Sequence, residues 1–285
     1  MPTVRVGSFE LKNLVGEGAF GCVYEARHAR LGYRVAVKQS KWKDGDEAKL
    51  FEQEAKLLAR IPHHFTIPAL HDYVVDAEGF PFMVLTWAPG RTLERLIDVQ
   101  PSEDRRSFVA RRPLDDEHTL WVADRLLEAL AHLHTCGVFH GDVKPANLIV
   151  DVPRHGAILT DFTVAVSDPT RDSVGKGGSP GYTAPEILSR MPPIAESDLW
   201  AVGKVMIAMV GGDPCAGTVP SDVRPSLRGL IDALVCADPT VRPGSANLVR
   251  RTILDLRERE FGRTSTREVL RFRDGTVPEV RGKKP

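Results

Sequence analysis

The sequence predicts an α+β protein of two lobes, in which a small antiparallel sheet with one helix precedes a mostly helical half. Up to residue 87, β-branched residues and glycines follow the pattern of short strands joined by turns. From residue 115, apolar residues recur at helical spacing instead. We therefore expect an N-terminal lobe at 1–87, a C-terminal lobe at 88–260 and a polar tail at 261–285.

The N-terminal lobe is expected to hold its strands on both sides of a single prominent helix. Residues 9–40 fit three short strands, with glycines at the turns. Residues 46–60 are rich in helix formers and are followed by a proline, which favours a helix that ends there. Two more strands fit 70–76 and 80–87, which a Glu-Gly turn separates.

The C-terminal lobe is expected to consist of helices around a loop-rich middle. Apolar positions at helical spacing predict a long helix over 115–136, which Gly137 should end. Gly, Pro, Asp and Thr are frequent in 138–186, so we expect loops and short strands there. Further helices fit 196–211, 225–236 and 244–258.

Composition excludes several classes of protein. Lys plus Arg and Asp plus Glu both number 38, so overall charge gives no support to binding of nucleic acid or a membrane surface. No apolar run approaches the roughly 18–20 residues that cross a bilayer. The four cysteines are far apart and lack CxxC spacing, which argues against a disulfide framework or a zinc site. We expect a protein of the reducing cytoplasm.

A glycine cluster lies between the first two predicted strands. Residues 16–24 read GEGAFGCVY, with Gly16, Gly18 and Gly21 in the form GxGxxGxV. Glycines let backbone N–H groups approach phosphate oxygens, because no Cβ stands in the way. The same spacing also occurs in glycine-rich hairpins that bind nothing, so the motif alone leaves both interpretations open.

A lysine and a glutamate could form an ion pair below this loop. Lys38 ends the apolar strand VAVK. A lysine in this position often only lays its aliphatic chain along the edge of a sheet and keeps its ammonium group in water. Glu54 lies on the helix that follows and could hold Lys38. Glu47 and Glu52 lie on the same helix as competitors, and only the distance to the helix end favours Glu54.

The stretch HGDVKPANLIV at 140–150 carries the strongest indication of chemistry. Phosphoryl transfer needs a carboxylate for a hydroxyl proton, a cation for the moving phosphate and an oxygen ligand for magnesium. Asp142, Lys144 and Asn147 could supply these groups in that order. Asp161 then ends a strand in ILTDFT and is a hard oxygen ligand suited to Mg²⁺.

In this order along the chain, these motifs resemble the eukaryotic-like Ser/Thr protein kinase family from residue 9 to about residue 258. The resemblance implies a bilobal kinase fold, ATP and Mg²⁺ as cofactors, and an enzyme that phosphorylates serine or threonine on a protein substrate. It assigns Lys38, Asp142 and Lys144 to catalysis and Asn147 and Asp161 to the metal. It also implies structural roles for Glu186 in Ala184-Pro185-Glu186, Asp198 in SDLWAVG, and Arg242 in DPTVRP as the partner of Glu186.

The resemblance also implies an adenine slot between the lobes. Val23, Ala36 and Ile149 would sandwich the base, and Leu85 would be the gatekeeper residue at the back of the slot. Backbone groups near Thr86 and Ala88 would read the edge of the base, while Gly16, Gly18, Gly21, Lys38 and Glu54 complete the ATP-binding set. These side chains could equally be part of the core. His140 is expected to pack with Leu58, Leu70 and Phe162 rather than to act as a base.

The chain departs from the family pattern at two positions beside the catalytic residues. Gly141 replaces the arginine that typically binds a phosphate on the activation segment, so we expect activity that needs no such phosphate. Thr163 replaces the glycine of the DFG motif. We expect threonine to restrict the backbone there and to make large swings of Phe162 less accessible.

Two segments depart from the family in length. Only a dozen or so residues separate Gly212 from the helix near Pro225, so the family's αG helix is expected to be reduced or absent. The segment 99–113 is a charged insertion, for which a solvated surface loop is favoured over a substrate-docking role.

Three functions remain open at this stage. We favour an active Ser/Thr protein kinase whose substrates could include itself, because Lys144 is typical of Ser/Thr rather than Tyr kinases of the family. A nucleotide-binding pseudokinase scaffold would explain Gly141 and Thr163. A small-molecule kinase would explain the HGDxxxxN pattern and the missing αG helix, although Lys144 and the Glu186–Arg242 pairing speak against it.

Overall fold

The structure is a computed structural model that describes residues 4–98 and 112–262. The predicted insertion at 99–113, except its last two residues, lies outside the described residues, as does the predicted tail from residue 263 onward. Within the described ranges the chain forms a strand-rich half and a helical half. The predicted α+β bilobal fold is confirmed.

The N-terminal lobe is built on one six-stranded antiparallel sheet in the order β1-β2-β3-β4-β6-β5. Alternation along β4 gives the sheet its two faces, because Val35 and Val37 join a small outer core while Lys38 turns toward the cleft between the lobes. The strands are β1 Arg5–Val6, β2 Phe9–Glu17, β3 Gly21–His28, β4 Arg34–Ser40, β5 Leu70–Val75 and β6 Pro81–Thr86.

A single long helix, α1 Gly45–Arg60, packs against the inner face of this sheet. Phe51, Ala55 and Leu58 are buried at the spacing of one helical face. Glu54 lies on that same face and is only 2% exposed, whereas Glu47 and Glu52 are exposed. The face of the helix, rather than its end, therefore distinguishes Glu54 from its competitors.

The C-terminal lobe contains the remaining helices, and α5 is its centre. Nearly every residue of α5 is buried, including Ser197 and Asp198, which is the mark of a helix surrounded by protein. The helices are α2 Leu93–Ile97, α3 Asp116–Thr135, α4 Pro185–Leu188, α5 Ala195–Met209, α6 Pro225–Leu234 and α7 Ala246–Phe261. The long helix α3 packs against α5 and α7.

Short strands between the helices hold the loops of the cleft in place. β9 Leu148–Asp151 pairs with β10 Gly156–Leu159 on one side and with β7 Arg91–Thr92 on the other, and β8 Val138–Phe139 pairs with β11 Val166–Ser167. Asn147 lies just before β9, and Asp161 follows β10 after a single residue. The antiparallel hairpin therefore brings both residues to the same end of the small sheet.

The end of the last helix differs from the sequence prediction. The last helix runs to Phe261 instead of ending near 258, because Phe261 packs against the core and lies 4.9 Å below the Arg224 guanidinium. Between α5 and α6, residues 210–224 form turns and one isolated bridge, Asp213 with Thr218, and contain no helix.

Candidate active site

The cleft between the lobes collects charged side chains from four separate parts of the chain. Lys38 comes from β4, Glu54 from α1 and Asp161 from the loop after β10. Asp142, Lys144 and Asn147 come from the loop between β8 and β9. Asn147 lies just before β9 and Asp161 one residue beyond β10, whereas Lys38 lies within β4, where its backbone pairs with Val23 and Met83.

Lys38 forms the centre of a buried ionic cluster. Its Nζ lies 2.9 and 2.7 Å from the two carboxylate oxygens of Glu54 and 3.1 Å from Oδ1 of Asp161. Burial alone would lower the pKa of Lys38, but the two carboxylates outweigh it and raise the pKa above its ordinary value. Lys38 is therefore a fixed cation, held where a phosphate could approach it.

Asp161 is held in its ionised form by the same cluster. Burial pushes its pKa up, but the Lys38 charge and hydrogen bonds from Thr163 and Lys38 outweigh this and lower the pKa to about 2. The side chain keeps 38% of its surface exposed toward the cleft. Its backbone has a φ of 65°, a left-handed geometry that aspartate tolerates better than most residues.

Thr163 reaches this cluster through its side chain, which sequence reasoning did not foresee. Its Oγ1 lies 2.7 Å from Oε2 of Glu54, 2.7 Å from Oδ1 of Asp161 and 3.2 Å from Nζ of Lys38. Thr163 is not among the residues with positive φ, so the residue in left-handed geometry here is Asp161. No pattern in the sequence indicated this polar contact, and the expected restriction of Phe162 stays a prediction.

A second polar group surrounds Asp142. The hydroxyl of Ser179 donates to Oδ1 of Asp142 at 2.8 Å, and Nζ of Lys144 lies 2.7 Å from both Oδ2 of Asp142 and Oγ of Ser179. The amide nitrogen of Asn147 donates to the backbone oxygen of Asp142 at 2.9 Å and to its Oδ2 at 3.0 Å. The carboxylate is thus fixed next to a hydroxyl and a cation.

The glycines of the loop between β2 and β3 are required for different reasons. A side chain at Gly21 would clash with the carbonyl oxygen of Gln39, so packing alone demands glycine there. A Cβ at Gly18 would meet nothing within 4 Å, and one at Gly16 would meet only Val23, at 3.9 Å. Gly18 N–H closes the tip by donating to the Gly21 carbonyl at 2.9 Å. Packing therefore does not account for Gly18.

The residues assigned to the adenine slot lie on strands that border the cleft. Ala36 of β4 pairs with Leu85 of β6, and both belong to or pack against the main core. Val23 on β3 and Ile149 on β9 are half-buried. The Thr86 N–H is committed to the Ala69 carbonyl at 2.9 Å, so a base could meet only the carbonyl oxygen of that residue. Ala88 follows β6 in the connection between the lobes and is also half-buried.

Asp198 of α5 holds the loop that carries Asp142. Its carboxylate is 2% exposed and accepts the backbone N–H groups of His140 at 3.0 Å and Gly141 at 2.9 Å. His134 adds a contact of 2.9 Å through Nε2, a partner that sequence reasoning missed. Burial would raise the pKa of Asp198, but these partners, led by His134, lower it.

His140 serves as a packed residue of this loop. It is fully buried, its ring lies edge-on to Phe162 at 4.9 Å between centroids, and its Nδ1 accepts the backbone N–H of Asp142 at 3.3 Å. Because Nε2 faces the Thr160 carbonyl at 3.2 Å, this nitrogen carries the proton. The ring's nitrogens are therefore both engaged, as expected for a structural histidine.

The predicted pair of Glu186 and Arg242 is present as a bidentate ion pair. Arg242 NH1 and NH2 lie 2.7 and 2.9 Å from the two oxygens of Glu186, and both residues are buried. Ser197 adds a hydrogen bond of 2.7 Å to Glu186, and the guanidinium lies 5.0 Å over the Trp200 ring. Such a pair fixes the end of the segment 161–186 to the helical core.

Residues 9–221 match the protein kinase domain in a comparison with known families. This chain belongs to the protein kinase family. Two of the relatives described below are named as serine/threonine-protein kinases, and the serine/threonine type recognised from the sequence is confirmed.

Three relatives illustrate this similarity. Serine/threonine-protein kinase PLK4 of Drosophila virilis is 26% identical over 273 residues, which cover 93% of this chain and 32% of that protein. The hormonally up-regulated neu tumor-associated kinase homolog A of Xenopus laevis is 31% identical over 253 residues, covering 85% and 33%. The DNA damage-responsive serine/threonine-protein kinase RqkA of Deinococcus radiodurans is 32% identical over 216 residues, covering 74% and 31%. The chain thus spans about a third of the length of these relatives.

None of the helices among the described residues is long and apolar enough to cross a membrane.

Proposed function

We propose that this chain transfers the γ-phosphoryl group of ATP to serine or threonine hydroxyls of protein substrates. The observation that carries the proposal is the hydrogen bond of 2.8 Å from the Ser179 hydroxyl to Asp142. A base must lie within about 2.6–3.2 Å of the hydroxyl whose proton it accepts. Asp142 already holds a hydroxyl of its own chain in this geometry, and a substrate hydroxyl could take the same place.

Lys38 and the glycine loop are proposed to hold the triphosphate. Lys38 is a buried cation whose geometry is set by Glu54, so it can meet the α and β phosphates without reorganising first. Gly16, Gly18 and Gly21 are proposed to leave room for the phosphates beside the backbone of this loop, where the Gly18 N–H itself donates to the Gly21 carbonyl at 2.9 Å. The base would lie between Val23, Ala36 and Ile149, with Leu85 at the back and Thr86 and Ala88 along its edge.

Asp161 and Asn147 are proposed to hold magnesium, and both fit a hard cation. The low pKa of Asp161 keeps its carboxylate charged at neutral pH. The Asn147 amide nitrogen is committed to Asp142, which leaves the amide oxygen as the atom to bind a metal. When bound, magnesium would neutralise charge on the phosphates.

Asp142 and Lys144 are proposed to act on the attacking hydroxyl and on the phosphoryl group that is transferred. Asp142 orients the attacking hydroxyl and accepts its proton, while Lys144 places a cation next to both that hydroxyl and the moving phosphoryl group. Most of the catalysis then comes from positioning and from charges that are already in place. Asp198 contributes indirectly, because it fixes the backbone of the loop that carries Asp142.

The same observations bear on the other two functions. A pseudokinase scaffold is not favoured, because Lys38, Glu54 and Asp161 are joined in one cluster and Asp142 is fixed beside a hydroxyl. A small-molecule kinase would not need the segment 161–186 to be anchored through Arg242.

A cytoplasmic location is also proposed, supported by the unpaired state of all four cysteines.

The test is transfer of radiolabel from Mg-ATP to a generic basic protein, compared between the natural chain and Asp142→Asn. We expect the natural chain to label protein on serine or threonine, and Asp142→Asn to lower the rate at least about 100-fold. Asp232→Asn, an exposed aspartate on α6, is the matched control and should label normally. Equal rates for the natural chain and Asp142→Asn would contradict the proposal, as would nucleotide binding without transfer.

A further inference from the structure

The hydroxyl of Thr163 lies inside the buried ionic cluster rather than at its edge. Thr163 is 4% exposed, and its Oγ1 meets Glu54, Asp161 and Lys38 within 3.2 Å. A hydroxyl has one proton to donate and lone pairs to accept with. It can therefore accept from Lys38 while it donates to one of the two carboxylates.

The charges explain why such a donor matters here. Lys38 supplies a single positive charge for the two carboxylates of Glu54 and Asp161. A buried carboxylate oxygen without a donor is costly, since it has lost its water. Thr163 places a hydroxyl donor within reach of both carboxylates. Lys38 therefore does not have to supply all of their side-chain hydrogen bonds.

The hydrogen bonds of Glu54 locate this contribution. Oε1 of Glu54 is met by Lys38 at 2.9 Å and by the backbone N–H of Phe162 at 3.2 Å. Oε2 is met by Lys38 at 2.7 Å and by the Thr163 hydroxyl at 2.7 Å. A glycine at 163 would leave Oε2 with Lys38 as its only partner among these.

We propose that Thr163 is a positioning residue, whose hydroxyl ties helix α1 to the segment that carries Asp161. The contact joins Glu54, 109 residues earlier in the chain, to the loop after β10. It adds to the Lys38–Glu54 pair a link that runs from α1 to the C-terminal lobe. The role of this link in catalysis rests on the proposed function, while the link itself does not.

This link would assemble the site without a phosphate on the activation segment. Gly141 has no side chain with which to bind such a phosphate. Chain contacts hold the segment instead, since Lys176 donates to Gln53 of α1 at 3.3 Å and Ser179 donates to Asp142 at 2.8 Å. Thr163 acts at the start of the segment, where α1 must be held inward for Lys38 to stay paired.

The test measures hydrogen exchange of the α1 backbone in the nucleotide-free protein. Thr163→Val keeps the shape of the side chain and removes the hydroxyl, and it should speed up exchange around Glu54 about tenfold. Thr163→Ser keeps the hydroxyl and should stay within about twofold of the natural chain. Thr119→Val is the matched control, because Thr119 is fully buried in α3 and its hydroxyl has no partner among the described residues.

Kinetics provide the second readout. Thr163→Val should lower kcat about tenfold while KM for ATP changes less, because the contacts of the hydroxyl are with the side chains of Glu54, Asp161 and Lys38 that it is proposed to orient. Thr163→Ser should restore kcat. A melting curve for each variant separates misfolding from local opening of α1.

Two results would overturn the inference. One is natural-like α1 exchange in folded Thr163→Val, and the other is Thr163→Ser behaving like Thr163→Val. If the natural chain transfers no phosphate but Thr163→Val still loosens α1, the link stands and the proposed function fails. If transfer is normal and α1 exchange is insensitive to Thr163, the function stands and the link fails.

Discussion

Two of the buried ionic clusters among the described residues use the same kinds of groups but differ in what surrounds them. Arg242 and Glu186 form a neutral, bidentate pair inside one lobe, and the guanidinium also donates to the backbone carbonyls of Glu196 and Cys236. Lys38 serves two carboxylates, Glu54 and Asp161, that come from different elements of the cleft. The first cluster is complete, whereas the second has an excess negative charge beside open space.

This difference distinguishes a structural pair from the proposed nucleotide site. A complete pair gains nothing from a ligand and loses much if one partner is removed. A cluster with unequal charges, one exposed carboxylate and a fixed ammonium can still bind cations and phosphates. The burial of an ion pair alone therefore does not distinguish a structural role from ligand binding. The balance between positive and negative charges in the cluster is more informative.

The largest expected effect on stability belongs to the structural pair. Arg242→Ala leaves the Glu186 carboxylate buried in the helical lobe with the Ser197 hydroxyl as its remaining side-chain donor, so the free energy of unfolding should fall by about 3–5 kcal/mol. Urea unfolding followed by circular dichroism measures this.

Lys38→Met is the matched comparison for that change. It also removes the cation from a buried carboxylate, but Glu54 keeps the Phe162 N–H and the Thr163 hydroxyl as donors, so the loss should be only about 1–2 kcal/mol. Its phosphoryl transfer should nevertheless fall below detection. Equal losses of stability in Arg242→Ala and Lys38→Met would contradict the contrast between the two clusters.

A smaller effect concerns the acid side of the stability curve. The folded-state pKa of Asp161 is lowered to about 2 from an ordinary 3.8. Its contribution to stability is therefore complete above about pH 4 and is lost as pH falls toward 2, because the unfolded chain takes up the proton first. Asp161→Asn has no such carboxyl, so its unfolding free energy should fall less steeply between pH 4 and 2.

The remaining slope in Asp161→Asn would come from other carboxyls. The pKa values of Glu186 and Asp198 are also lowered, and burial opposes the shift in each. Unfolding midpoints in urea, measured at intervals of pH for both proteins, provide the comparison. Parallel curves for the two proteins would mean that Asp161 is not held ionised by Lys38.

The smallest expected effect concerns phosphorylation of the activation segment. Gly141 has no side-chain donor for a phosphate on the activation segment. Replacing Ser167, Thr170 and Ser173 together by alanine should therefore change the transfer rate less than about twofold. Ser179 is left unchanged, since it contacts Asp142. Loss of activity in the triple variant, restored by acidic residues at these positions, would show a phosphate switch that the cleft does not reveal.

Much of the fold could be predicted from local patterns because they repeat. Five of the six strands before residue 87 and the long helices α1 and α3 follow from alternation and helical spacing, whereas the two-residue strand β1 is too short to give a pattern. The end of α7 was misplaced because Phe261 is held by a contact with Arg224, and such a contact has no local sequence signal.

The residues of the candidate site were harder to predict from the sequence than the strands and helices of the fold. The motifs around Asp142 and Asp161 combine several residue types in order, so the sequence pointed to both positions. The choice of Glu54 over Glu47 and Glu52 depended on which face of α1 turns inward, which the sequence left open. Thr163 was interpreted through its backbone, because a hydroxyl within reach of two distant carboxylates is a property of the folded chain alone.

The most direct test of the central claim is calorimetric titration of the natural chain with ATP, with and without magnesium. The claim is that Lys38, Asp142, Asn147 and Asp161 converge on one nucleotide triphosphate. We expect ATP to bind clearly more tightly in the presence of Mg²⁺, and we expect Asp161→Asn to remove that difference. An affinity for ATP that is the same with and without the metal, or the absence of any binding, would contradict the account.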